Sequence, residues 1–205
     1  MKKIKRVLYI ILISLFSLTI YSCSSSSDGG SSTTTDDDTN NTSSGSGVFV
    51  TVGSSGTIVR STDNGVSFEN VTSPTTNNLA GVVFGNNTFV AVGDNGTIVR
   101  STTDNGSSWD NATPPTTNNL YGVSFGNNAF VAVGDNGTIV RSTDNGLTWD
   151  NVTSPTSNFL IGVGFGNNTF VAAGTYGNIL RSTDNGSSWD NSTSPTPNQL
   201  RGVGF

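Results

Sequence analysis

From Phe49 to Phe205 apolar and polar residues alternate in short runs, and each run is closed by glycine, asparagine, aspartate or serine. A period of two marks strands that bury a face, and such joints are where strands reverse. Over one stretch the pattern predicts strands at Tyr121–Phe125, Ala129–Val133, Thr138–Thr143 and around Thr148–Thr153. The joints between them are Gly126-Asn127-Asn128, Gly134 to Gly137 and Asp144-Asn145-Gly146. Asn136-Gly137 is suited to the positive backbone angles of a tight turn. Ser154 to Leu160 then bridges to the next set of strands. No segment keeps a 3.6-residue period over a helical length, so almost no helix is expected beyond the first residues.

The pattern repeats. Arg60, Arg100, Arg141 and Arg181 stand 40, 41 and 40 residues apart, the extra residue being a threonine inserted within Ser101 to Trp109. Periods of this size, with short strands and many turns, belong to solenoids and propellers. A four-stranded sheet of this length has two apolar faces and must stack on copies of itself. Radial stacking makes a β-propeller, whereas a linear solenoid needs polar capping units, and none is visible. The chain enters on a second strand at Phe49 and leaves on a first strand at Phe205, so these fragments complement each other. The expected fold is therefore an all-β propeller of four short four-stranded blades, closed by pairing of the N-terminal and C-terminal strands. The alternative is an incomplete part of a larger propeller. Small residues on the innermost strands (Gly81, Gly122, Gly162 and Gly202, then Val83, Ser124, Gly164 and Gly204) fit crowding near an axis.

The first residues read differently. Lys2, Lys3, Lys5 and Arg6 precede an apolar run from Val7 to Ile20, shorter than the roughly 20 residues of a bilayer span. This is the outline of a signal peptide. Ile20-Tyr21-Ser22-Cys23 resembles a bacterial lipoprotein signal, with small Ser22 in place before the cysteine and bulky Tyr21 as a departure. The resemblance implies that Cys23 is lipidated, becomes the new N-terminus and holds the protein to a membrane, outside the cytoplasm in a bacterial cell envelope (outer membrane or cell surface). An ordinary secreted protein with an incidental thiol is the alternative. Cys23 is the only cysteine, so no intramolecular disulfide can form. Ser24 to Gly47 has no apolar residue to offset its conformational entropy and is expected to be a tether reaching about 25–30 Å. The domain expectation is thus 1–22 signal peptide, 23–47 tether and 48–205 propeller.

Removing residues 1–22 takes away four of nine basic residues and none of fourteen acids, leaving a net charge of -9 in place of -5. Arg60, Arg100, Arg141, Arg181 and Arg201 remain, dispersed at repeat spacing. Such a protein has no basic patch for nucleic acid.

Four turns share one motif: Ser61, Asp63, Gly65 and Phe68; Ser101, Asp104, Gly106 and Trp109; Ser142, Asp144, Gly146 and Trp149; Ser182, Asp184, Gly186 and Trp189. They resemble the Asp-box, or bacterial neuraminidase repeat, Ser-x-Asp-x-Gly-x-x-Trp. The resemblance spans the repeated region and is nearest to short-bladed propellers related to the photosystem II stability and assembly factor. It implies a structural role for the box. The chemistry agrees: each aspartate is expected to accept amide hydrogen bonds two or three residues on, each glycine to take the left-handed angle, and each aromatic to pack the turn on its sheet. The recurrent arginines are expected to lay their stems between sheets and pair their heads with these carboxylates, the rival being a ring for an anion.

The chain has no histidine, which excludes histidine-based triads and, with Cys23 assigned to lipid, zinc sites built on histidine or thiolate. No cofactor or metal is expected. Outside the repeated aspartates the propeller region offers only Glu69, at the place of Asp110, Asp150 and Asp190, whereas a glycosidase needs two distinct carboxylates. Neither Tyr121 nor Tyr176 lies in a pattern that supports a sialidase. Binding belongs where the copies differ. Ala80, Tyr121, Ile161 and Arg201 form the most divergent equivalent set, and Thr175-Tyr176 replaces an Asp-Asn pair, so these residues are the candidate rim. The reading that results is a non-catalytic envelope lipoprotein whose propeller is an interaction or assembly module for a protein or glycan partner. A fragment or remnant of a sialidase-like glycoside hydrolase is the alternative.

Overall fold

The computed structural model describes residues 47–205. The expected signal peptide, Cys23 and all of the expected tether except Gly47 lie outside the described residues. The chain from Phe49 onward makes fifteen strands in four antiparallel sheets, each sheet formed by consecutive strands. The first sheet holds β1 (Phe49–Val52), β2 (Ile58–Ser61) and β3 (Glu69–Val71). The second holds β4 (Leu79–Gly85), β5 (Thr88–Gly93), β6 (Ile98–Ser101) and β7 (Trp109–Asn111). The third holds β8 (Leu120–Gly126), β9 (Ala129–Gly134), β10 (Ile139–Ser142) and β11 (Asp150–Val152). The fourth holds β12 (Leu160–Gly166), β13 (Thr169–Gly174), β14 (Ile179–Ser182) and β15 (Asp190–Ser192). Among the described residues the only helical segments are four single 3-10 turns, Ser54–Gly56, Asp94–Gly96, Asp135–Gly137 and Thr175–Gly177.

The joints follow from the residues in them. Asn127 and Asn128 form a two-residue hairpin between paired Gly126 and Ala129, with φ of 47° and 60°. Asparagine tolerates this left-handed region, which the right-handed twist of the strands demands. Each 3-10 turn likewise places a residue near φ 55°: Ser55, Asn95, Asn136 and Tyr176.

The core consists of layers between successive sheets. Val90, Val92 and Ile98 of the second sheet meet Leu120, Phe130, Ala132, Val140 and Trp149 of the third. Val131, Val133 and Ile139 meet Leu160, Phe170, Ala172, Leu180 and Trp189 in the next layer. Alternate residues of β9 thus face opposite layers, and all its side chains are buried, which is why neither face of a sheet can be left alone. On the inner strands, a side chain at Gly122 would stand 2.9 Å from the Ile161 carbonyl oxygen, so backbones touch there and only glycine fits. Beyond it, Phe165 seats its ring against Gly126 and pairs with Phe170 at 4.6 Å between centroids.

Two expectations about the ring are corrected. Among the described residues the first sheet has three strands, and β1 pairs only with β2. Residues 201–205 form no strand, and Phe205 and Phe49 remain 93% and 54% exposed in place of stacking as Phe165 and Phe170 do. Phe205 instead seats on Gly166 as Phe165 seats on Gly126. The physical reason is that each sheet-to-sheet step is set by the same inner-strand contact. The C-terminal segment therefore continues the series by a further equal step rather than returning to β1. Among the described residues no strand pairing closes the propeller.

Candidate functional site

The Ser-x-Asp turns are built from their own side chains. In the third sheet the Ser142 hydroxyl donates to Asp144 Oδ1 at 2.8 Å and accepts from the Gly146 amide at 2.9 Å. The Thr148 amide and hydroxyl donate to Asp144 Oδ1 and Oδ2 at 2.9 and 2.6 Å. Asp63 and Asp184 hold Ser67 and Ser188 in the same way. The principal amide thus lies four residues after the aspartate, not two or three, and the hydroxyl before the aromatic is a partner that sequence reasoning missed. Its signal was present: Ser67, Thr148 and Ser188 all precede the aromatic. Hydrogen bonds from Ser61 and then Ser67 draw the Asp63 carboxyl down to about 2, and those from Ser188 draw Asp184 down to about 2. For Asp144, burial pushes upward, but the bonds from Thr148 and Ser142 outweigh it and the net shift is downward.

The second turn departs from expectation. Thr103, not Asp104, stands two residues after Ser101, and its hydroxyl accepts from the Ser107 amide at 3.1 Å and lies 3.1 Å from the Ser107 hydroxyl. Among the described residues Asp104 makes no side-chain hydrogen bond, and Ser101 instead accepts from the Phe89 amide at 2.8 Å. The inserted residue moves the carboxylate one place along, out of reach of the amide. Gly106 still takes φ 66° and still accepts from Trp109 Nε1 at 2.9 Å.

Trp109, Trp149 and Trp189 are 5–6% exposed, each packed in the layer against the preceding sheet. Phe68 is 50% exposed because the first sheet has no preceding sheet among the described residues, so its expected packing role is not fulfilled. The arginines are also corrected. Arg100 Nε donates to the Asn145 carbonyl at 3.0 Å, Arg141 Nε to Asn185 at 2.6 Å, and Arg60 Nη1 to Asn105 at 3.1 Å. Each reaches a backbone carbonyl in the following sheet's turn, and in the third and fourth turns the aspartate oxygens are already occupied by hydroxyl and amide donors. Among the described residues Arg60 alone adds a carboxylate, Glu69, with Nε and Nη2 at 2.7 and 2.6 Å.

The divergent rim has a structural cause. The β4–β5, β8–β9 and β12–β13 ladders each shift register across one residue, and those residues are Ala80, Tyr121 and Ile161. Each is therefore the extra residue of a bulge, a device that turns a side chain out of its ladder. The Tyr121 hydroxyl donates to Asp135 Oδ1 at 2.6 Å, and burial first, then this carboxylate and the charge of Asp94, raise its pKa. Arg201, the fourth of the set, is exposed and donates to Gln199 Oε1 at 3.4 Å. Tyr176 is 78% exposed at φ 58°, a conformation costly for a bulky residue. Phe159, 45% exposed, lies beside this turn, since its carbonyl accepts from the Thr175 amide at 2.9 Å. Sequence reasoning passed over Phe159, although it stands where other joints have Asn78 and Asn119.

A hollow of about 590 Å³ lies between Asn95 and the bridge Pro114 to Asn118, with no titratable side chain in its lining. Among the described residues no three potential metal ligands come together.

Residues 76–200 match the family described as the DUF6242 beta propeller domain. No curated protein matches the chain. Several solved structures are similar. YCF48 bound to D1 peptide aligns with a TM-score of 0.59 at 19% identity, over 76% of this chain and 53% of that one. YCF48 from Cyanidioschyzon merolae aligns with a TM-score of 0.59 at 17% identity, over 78% and 56%. An ancestral GH74 enzyme aligns with a TM-score of 0.59 at 23% identity, over 73% and 23%. The chain spans about half the length of the YCF48 structures. At these identities the likeness is one of fold.

Proposed function

The chain belongs to the DUF6242 beta propeller domain family, and on that footing we propose that it is a non-catalytic, lipid-anchored protein of a bacterial cell envelope whose propeller holds other proteins for assembly. In this reading the Ser-x-Asp turns are structural Asp-boxes and Cys23 carries the lipid. The observation that carries it is the division of labour between repeated and divergent residues. The repeated aspartates of the first, third and fourth turns and the arginines at 60, 100 and 141 are engaged in turns and between sheets. The bulged residues, by contrast, present different side chains at equivalent places. Scaffolds with variable rims are suited to recognition. A propeller of this fold, YCF48, has been solved with a D1 peptide bound, which supports a protein partner here over a glycan.

The test is capture of envelope proteins by the immobilised chain, compared with a Tyr121→Ala, Arg201→Ala double variant. Partners lost with the variant are expected, and an unchanged profile would overturn the rim assignment. Labelling with a fatty-acid analogue should disappear in Cys23→Ser. The glycosidase alternative draws on the GH74 likeness and on Glu69, but Glu69 is tied to Arg60. Turnover of a sialoside that is lost in Glu69→Gln would restore it.

A further inference from the structure

In the first two 3-10 turns the amide of the left-handed residue is satisfied by the next joint: Ser55 N–H donates to Asn78 Oδ1 and Asn95 N–H to Asn119 Oδ1, both at 2.9 Å. The third joint has Phe159 at that place, which carries no acceptor, and the fourth has Gln199, whose oxygen is turned to Arg201. Among the described residues the amides of Asn136 and Tyr176 consequently have no acceptor. At the same place the surface changes character. Phe159 and Tyr176 are exposed, Ile161 is bulged beside them, and Tyr176 is held in a conformation that asparagine takes in the second and third turns.

We propose that this part of the rim, with the Asn136 and Tyr176 amides and the surfaces of Phe159, Ile161 and Tyr176, binds an extended peptide segment of a partner protein. Main-chain carbonyls of the segment accept from the two amides, and an apolar side chain covers Phe159 and Ile161. The chemistry selects the occupant. An open amide wants an oxygen acceptor, but the Asp135 carboxylate adjoining Asn136 opposes a carboxylate, phosphate or acidic sugar there. A branched aliphatic residue next to an aromatic suits an apolar side chain, so a neutral carbonyl with such a side chain beside it is the matching group. A bulky residue kept at a left-handed position is consistent with surface retained for binding at a cost in stability. This inference rests on the proposed function and names its site and its ligand chemistry.

The experiment uses the full chain, uniformly labelled with ¹⁵N, and capped heptapeptide mixtures of Leu, Val, Phe, Ser and Lys. The amide resonances of Asn136 and Tyr176 should move with peptide. Phe159→Asn, which reinstates the residue found at 78 and 119 and is expected to keep its thermal midpoint, should weaken binding at least about tenfold. Unmoved amides, equal binding by Phe159→Asn, or shifts produced by neutral oligosaccharides and not by peptides would each overturn the site. If Phe159→Asn leaves envelope-protein capture intact while the Tyr121, Arg201 variant removes it, the proposed function stands without this site. If neither variant changes capture, both readings fall.

Discussion

Asp104 and Asp144 occupy the same motif in sequence, yet the structure predicts opposite consequences of replacing them by alanine. Asp144→Ala leaves three donors without their acceptor: the Ser142 hydroxyl and the amide and hydroxyl of Thr148. Thr148 is exposed and its groups find water, so their loss is small. Ser142 is 2% exposed and cannot turn to solvent. One buried hydroxyl left unmet, together with loss of a cap-like turn bond, gives an expected cost of about 1–2 kcal/mol. For a domain of this size that lowers the thermal midpoint by about 2–8 °C. Asp104→Ala removes no hydrogen bond and should stay within about 0.5 kcal/mol of the parent. Thr103→Ala should cost more than Asp104→Ala, because the hydroxyl carries the capping of Ser107. Urea unfolding of the three variants, followed by tryptophan fluorescence, measures the order directly. If Asp104→Ala proved as costly as Asp144→Ala, the assignment of the second turn to Thr103 would be wrong.

Acid should weaken the fold in a definite window. The Asp63 and Asp184 carboxyls sit at about 2 when folded, below their ordinary value, so their contribution is complete above the unfolded pKa of about 3.9 and is lost as pH falls toward 2. Urea midpoints should be flat from pH 7 to 5 and fall below 4, and a shallower fall is expected in Asp63→Asn, Asp184→Asn; an unaltered slope would refute the cause. Trp189→Ala should cost about 3–5 kcal/mol, since a buried indole leaves a cavity between two sheets. Phe68→Ala, at a half-exposed aromatic of the same motif, should cost under about 1.5 kcal/mol, and equal losses would contradict the layer-by-layer packing. Tyr176→Asn should stabilise by about 0.5–1 kcal/mol by relieving the left-handed strain, a gain that calorimetry would show as a raised midpoint.

The strand order, the turn positions and the repeat were legible in the chain because they depend on neighbours in sequence. Alternation sets which residues can share a face, and asparagine and glycine set where the chain can reverse. Ala80, Tyr121 and Ile161 could also be singled out, since they differ where everything around them repeats. Their cause could not, because a bulge is a mismatch between two strands and exists only once both are paired. The same holds for Phe159, whose significance lies in an acceptor that it fails to supply to a turn 23 residues earlier in the chain, at Asn136.

Sequence alone thus determined the second, third and fourth sheets, the apolar faces of their strands and the inventory of turn-forming side chains. Tertiary structure decided which hydroxyl caps the second turn, where the arginines direct their heads, and that β1 and residues 201–205 do not pair. Those outcomes depend on distances between sheets and on the fixed step from one sheet to the next. A linear pattern carries the identity of each contact surface but not the angle through which successive surfaces turn.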